Sequence, residues 1–371
     1  MVEMNKTEYN FLGDTMTLQP LLNFKKVISF FILFSIISCS VDNNSSKKVS
    51  WNISDGEEYP VGSKLSRPED GVMLKDGTLI VADQRYGLAK IDLSGKVTPF
   101  GNFEALAYEH NPPIIESGPN GVHLTPDKQY IITADVFNGK IYKTSILSNS
   151  SEIIYSHKYG TNTAREDSTG SVWFTQSTQN QNEERLFGAL DKAIPDGALY
   201  RLPVSKDGTL SEPELILKNL YFANGFYIDE KRNKLYLSEM MKNRVLSFDL
   251  DVSTGFLSNQ TTLVVMPTPD NMELNSEGKL WVASPLSNQI YSIDPENGES
   301  YVVFDAQTKV GLMNMEEGIR LMETGNGFSQ LLTPELTGEM PGLLTGLIIG
   351  DESQPFYVAN LGAALIKVSK E

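Results

Sequence analysis

Along the chain, short runs of β-branched and aromatic residues recur between clusters of Gly, Asp, Asn and Pro. Six of the runs look alike: 78–83 (TLIVAD), 129–135 (QYIITAD), 171–176 (SVWFTQ), 234–239 (KLYLSE), 279–284 (KLWVAS) and 355–360 (PFYVAN). A polar turn precedes each, such as Lys75-Asp76-Gly77 or Ser276-Glu277-Gly278. A second strand-like run follows each, at 87–92, 139–144, 197–202, 243–249, 288–294 and 363–368. Strand-turn-strand units repeating every ~40–50 residues point to a radial array rather than a sandwich. The pattern predicts an all-β chain, a six-bladed β-propeller with four-stranded antiparallel blades. Helical periodicity surfaces only around 313–323. Two stretches break the repeat: 177–196, between the second and third strands of blade three, and 306–340, between blades five and six. Each is either a solvated excursion or a function-bearing loop. Propeller geometry puts 177–196, with Arg185, Leu186 and Phe187, on the face where the inner strands begin, where it would cover a bound substrate.

The N-terminus follows another pattern. Lys25-Lys26 precede an apolar run at 27–37, and then come Ser38 and Cys39. The run has 11 residues, short of the ~20 that span a bilayer. Ile36-Ile37-Ser38-Cys39 resembles a bacterial lipobox, in which the cysteine is acylated after cleavage. The expectation is a lipoprotein signal peptide at 1–38, a polar tether at 39–58 and the propeller at 59–371, with an uncleaved anchor helix as the alternative. That places the protein in a bacterial cell envelope, held to a membrane through lipid on Cys39 alone. Cys39 is also the single cysteine, which excludes a disulfide framework and a zinc site built on several thiolates. A net charge of −16 argues against nucleic acid and anionic lipid as partners, and suits a divalent cation.

Candidate chemistry gathers where each inner strand opens. Reading round the repeats gives Glu69 in Arg67-Pro-Glu-Asp-Gly71, Asn120 in Gly118-Pro-Asn-Gly121 and Asn162 in Gly160-Thr-Asn-Thr163. It then gives Asn224 in Phe222-Ala-Asn-Gly225 and Asp270-Asn271 in Thr268-Pro-Asp-Asn-Met272. Any one of these is adequately explained as a turn former before a strand. Five repeats of six carrying an amide or carboxylate oxygen at the same place is a ring of hard ligands, suited to calcium or another divalent cation. Other machinery is thin. There is no Gly-x-Ser-x-Gly elbow, and His110, His123 and His157 lack ligand spacing. His123 is expected to be a packed core residue, Trp173 and Trp281 are expected in the core, and Glu239 and Glu273 are read as structural.

The segments at 222–229 with 234–239, and 269–272 with 277–283, resemble the gluconolactonase/senescence-marker-protein (regucalcin) family, and are similar to paraoxonase and strictosidine-synthase-like propellers. The resemblance runs from about 66 to 368. It implies a six-bladed propeller with one catalytic divalent cation, usually calcium, hydrolysing lactones or related esters. Carried over by motif, Glu69, Asn162, Asn224 and Asp270 are the implied metal ligands, while Asn120 and Asn271 are candidate metal or substrate contacts. Paraoxonases have a histidine, proposed as general base, where this chain has Asn120, which leaves Asp270 as the base. A calcium-dependent lactonase or esterase is the leading expectation. A non-catalytic binding or scaffold propeller with a structural metal, and a metal-free strictosidine-synthase-like enzyme, are the alternatives.

Overall fold

Gly56–Tyr59 pairs antiparallel with Leu365–Val368, so the beginning and end of the described chain share one sheet and close a ring. The structure, a computed structural model, describes residues 51–62, 64–180, 183–351 and 355–369. Their strands form six sheets, in chain order blades I (71–100), II (119–156), III (164–220), IV (223–265), V (272–305) and VI (344–368 with 56–59). Each blade has four antiparallel strands running from the centre outward. Blade V carries a fifth, Trp51–Asn52, parallel to Ser300–Asp305. The protein is a six-bladed propeller, and the six look-alike runs are the second strands of its blades, within a residue at each end.

Burial explains why those runs are legible. The second strands are covered on both faces by neighbouring blades, so every residue of Leu79–Asp83 and of Leu280–Ser284 is buried. The outermost strands, such as Ser150–Ser156 and Phe256–Val265, face solvent and read as polar. Between blades V and VI, Trp281 meets Phe356 edge-on with ring centroids 5.2 Å apart. Trp173 packs with Phe226 and Phe248 between blades III and IV. Both tryptophans are core, as expected, and each such buried aromatic contributes on the order of 2–3 kcal/mol. At the centre the inner strands crowd one another. A Cβ on Gly225 would lie 2.7 Å from the Asn271 Cα, so only glycine lets blades IV and V meet there.

Two expectations change. The described part of the expected tether, from Trp51 on, is already in sheets. Its Glu57 and Glu58 read as linker because an outer strand shows its polar side chains to water. The helix expected near 313–323 begins earlier: α2, Lys309–Glu323, is capped by Thr308, whose side chain accepts from the Gly311 N–H at 2.8 Å. Residues 1–50, with the expected signal peptide and Cys39, lie outside the described residues.

Candidate functional site

All six inner strands open at one mouth of the central channel. Glu69 and Asn162 stand just before Gly71–Met73 and Ala164–Glu166, and Asp270-Asn271 just before Met272–Leu274. Asn120 and Asn224 lie inside Pro119–Leu124 and Ala223–Asp229. The ladder slips between Pro119 and Val122, Ala223 and Phe226, and Leu344 and Gly346. Such bulges re-aim side chains, and these three bracket Asn120, Asn224 and Thr345. Glu69, Asn120, Asn162, Asn224, Asp270 and Thr345 line one cavity of about 60 Å³. Every blade therefore contributes at least one polar side chain. Thr345 escaped the sequence reading because its segment, Leu344-Thr-Gly346, has neither acid nor amide.

Within this ring three oxygens lack a hydrogen-bond partner although they are buried: Glu69 Oε2, Asn224 Oδ1 and Asp270 Oδ1. The other ring amides are committed to neighbours. Asn271 donates to Glu69 Oε1 at 3.0 Å, and Asn162 Oδ1 accepts from the Thr163 hydroxyl at 3.1 Å. Asn120 Oδ1 accepts from Arg67 at 3.0 Å. Burial, opposed by the Arg67 guanidinium and hydrogen bonds from Asn271 and Asn120, pushes the Glu69 carboxyl up to about 7. Burial, then repulsion from Glu69 and Asp70, drives Asp270 well above the usual carboxylate range. Two carboxyls and an amide oxygen without a protein donor, buried in one cavity, favour a positively charged occupant. Among the described residues no group of three or more His, Cys, Asp or Glu side chains could hold a metal. The donors here are two carboxylates and amides, a mixture that suits a hard cation.

Comparison with known proteins bears on the same region. Residues 155–310, under half the chain, match the SMP-30/Gluconolactonase/LRE-like region. Regucalcin of Danio rerio is 33% identical over 110 residues, 29% of this chain and 36% of that protein. The match thus spans about a third of that relative's length. A gluconolactonase from Xanthomonas campestris superposes with a TM-score of 0.57 at 15% identity, covering 83% of this chain and 87% of its own. A calcium-binding regucalcin from Agrobacterium tumefaciens superposes at 0.56 with 12% identity, covering 86% and 95%. Over residues 155–310 the chain is similar to the gluconolactonase/regucalcin region, and the solved structures share its propeller fold. The matched stretch contains Asn162, Asn224, Asp270 and Asn271, but not Glu69, Asn120 or most of 306–340.

Arg67 also lines the cavity, although no sequence pattern around it marks it as a site residue. It is buried and adopts φ 55°, a left-handed backbone that costs a non-glycine residue about 1 kcal/mol or more. Its guanidinium donates to the Pro119 carbonyl at 3.2 Å as well as to Asn120, and lies over the Phe137 ring at 5.3 Å. That puts a fixed positive charge on the cavity wall. A second polar layer adjoins the ring. His123 is buried as expected, but among charges rather than apolar side chains: its Nδ1 is 3.1 Å from Glu273 and its Nε2 3.6 Å from Asp70. Glu273 also pairs with Arg165, which donates to the Met272 carbonyl at 2.9 Å and lies over Tyr227. Burial, then the Arg165 charge, holds His123 down at about 4. Burial would raise Glu273, but Arg165 and His123 outweigh it and hold the carboxyl at about 2. Glu239 is structural, accepting from the Tyr221 N–H and pairing with Arg244.

The two excursions from the repeat meet each other over the cavity. Residues 177–196 contain α1 (Glu183–Gly188), and 306–340 contain α2 and the short α3 (Pro334–Thr337). Gly327 and Phe328 donate to the Asp191 and Leu190 carbonyls, both at 2.8 Å. A Cβ on Gly327 would stand 1.7 Å from the Leu190 oxygen, so the contact requires glycine. Leu186, Leu190, Met322 and Phe328 share a hydrophobic cluster with Phe222 and Met240 of the propeller face. The segment 177–196 is thus half of a folded cover rather than a free loop. Leu186 and Phe187 reach the cavity, as expected, whereas the Arg185 side chain lies outside what is described.

Proposed function

We propose that the chain is a calcium-dependent hydrolase of lactones or related esters, lipid-anchored outside the cytoplasm. The observation that carries the reading is the trio of buried, unpartnered oxygens on Glu69, Asn224 and Asp270, drawn from three blades into one cavity. A buried acceptor without a donor costs about 1–3 kcal/mol, and carboxylates cost more, so such a trio is retained for something that binds it. Glu69, Asn162, Asn224 and Asp270 would hold the cation; the Asn162 oxygen is freed by rotation of the Thr163 hydroxyl. When bound, calcium supplies a Lewis acid for a carbonyl oxygen.

The chain's own residues supply the rest. Asp270 presents its free Oδ1 to the cavity, where it can accept a proton from water. Asn224, beside it in the ring, opposes the burial that raises the Asp270 carboxyl and so favours its ionised form. Arg67 faces the same space with its guanidinium, which can attract the oxyanion of a tetrahedral intermediate. The cover excludes bulk water, which strengthens each of these interactions. The test is metal analysis of purified protein followed by a lactone and aryl-ester panel with and without chelator. Hydrolysis that chelator abolishes and calcium restores is the expected result. Hydrolysis indifferent to chelator removes calcium from the reading, and bound calcium with no hydrolysis leaves a binding propeller.

For the anchor, Cys39→Ser is expected to leave the propeller folded and to move the protein from the membrane fraction to the soluble one. Retention in the membrane fraction would mean that acylation is not what holds it.

A further inference from the structure

The polar ring is only the floor of the site. Above it the cavity walls are hydrocarbon: Leu186, Phe187 and Leu190 from one half of the cover, Phe328 and Leu332 from the other, and Phe222 from the propeller face. Among the described residues, no charged or amide side chain lines the cavity above the ring. A second cavity, of about 420 Å³, adjoins this one and shares Phe187, Leu332 and Leu343 with it. Those three side chains, all half-buried, are the partition between the two spaces. Beyond them the second cavity continues along Pro334, Leu336 and Thr337 of α3. Among the described residues, its lining has no ionisable side chain. Two of its three hydroxyls are already engaged, Ser329 with Asp191 and Thr337 with the Pro334 carbonyl at 2.9 Å.

Resting on the hydrolase reading above, we propose that the substrate is a lactone or ester bearing an apolar alkyl or acyl tail. Its carbonyl lies on the polar floor and its tail passes Phe187, Leu332 and Leu343 into the outer cavity. A polyhydroxylated sugar lactone would fit poorly. Each ring hydroxyl buried against these walls without a partner loses about 1–3 kcal/mol. An alkyl tail instead exchanges water for hydrocarbon along the whole path, and each methylene buried is expected to tighten binding about fourfold.

The experiment has two arms. The first measures kcat/KM, with calcium present, for γ-lactones of increasing alkyl chain and for glucono-δ-lactone. The second measures, by calorimetry, binding of the matching alkyl γ-lactams, which keep the ring carbonyl but resist hydrolysis. Both should rise with chain length until the outer cavity is full, and the sugar lactone should be the poorest substrate. Thr337→Trp, which fills the outer cavity from α3, should reduce the long-chain to short-chain ratio about tenfold in both arms. Hydrolysis that favours the sugar lactone, or shows no chain-length trend, overturns the tail and leaves the hydrolase standing. Lactam binding that rises with chain length while no lactone is hydrolysed overturns the hydrolase and leaves the apolar subsite. No hydrolysis of any lactone, together with lactam binding that does not rise with chain length, overturns both.

Discussion

Calcium-free protein carrying Glu69→Gln is expected to be more stable than its parent at pH 8, by roughly 2–3 kcal/mol, while having lost calcium binding and hydrolysis. The cause is the burial that lifts the Glu69 carboxyl from its ordinary 4.5 to about 7. In the unfolded chain the group ionises near its ordinary value, whereas in the fold it keeps its proton until pH 7. The folded state therefore binds more protons between these values, and stability is lost as pH rises from about 4.5 through 7. Glutamine keeps the shape and does not ionise, so it escapes that loss. Urea unfolding from pH 4.5 to pH 8 in chelator should show the two proteins converging at the acid end. Saturating calcium should reverse the order at pH 8, because only the parent gains binding free energy, about 2.7 kcal/mol at a hundredfold excess over Kd. A glutamine variant that is less stable than its parent at pH 8 in chelator would mean that the ring bears its charges without strain.

How much of this was legible depends on whether the information was local. The second strands, such as 279–284, are buried on both faces, so their apolar runs stand out unaided, and the blade count followed from counting them. The ring was legible because five blades open with an acid or amide at one repeat position, and Thr345 was missed because a hydroxyl breaks that rule. Arg67 was missed for another reason. Its importance comes from a left-handed backbone and from Asn120 across the blade boundary, neither of which its neighbours in sequence announce. The environment of His123 was misjudged similarly. Its partners Asp70 and Glu273 are 53 and 150 positions away, joined only when the inner strands of three blades converge. The cover was read as two separate excursions because the glycine contact that joins them, Gly327 against Leu190, pairs positions with no common repeat. The same contact tells against testing 177–196 by excision, since removing one half would bare the apolar face of the other.

The other large effect belongs to the layer beside the ring. Arg165→Met removes the cation that faces Glu273 and leaves a largely dry carboxylate unpaired, which in buried pairs costs about 3–5 kcal/mol. Glu273 keeps 22% of its side-chain surface exposed, so the expected loss at pH 8 is about 3 kcal/mol, at the lower end. Methionine preserves the packing over Tyr227, which separates the charge from the volume. The pH dependence identifies the mechanism. In the parent, His123 sits at about 4, below its ordinary 6.5, so the unfolded chain takes up this proton first and stability falls as pH drops from 6.5 through 4. Arg165 is one of the causes of that depression. Without it, His123 faces the Glu273 carboxylate at 3.1 Å and Asp70 at 3.6 Å with no cation beside it, and its folded value rises. A folded value near or above the ordinary one removes the acid penalty and, where it exceeds it, adds stability at low pH. The gap between variant and parent should therefore narrow between pH 8 and pH 5.5, as the imidazolium takes the place of the guanidinium. Adding Glu273→Gln to Arg165→Met should recover most of the loss at pH 8, because the stranded charge is gone. A gap that stays constant across this range, or a double variant no better than the single, would show that Arg165 acts through its volume or its bond to the Met272 carbonyl rather than through its charge.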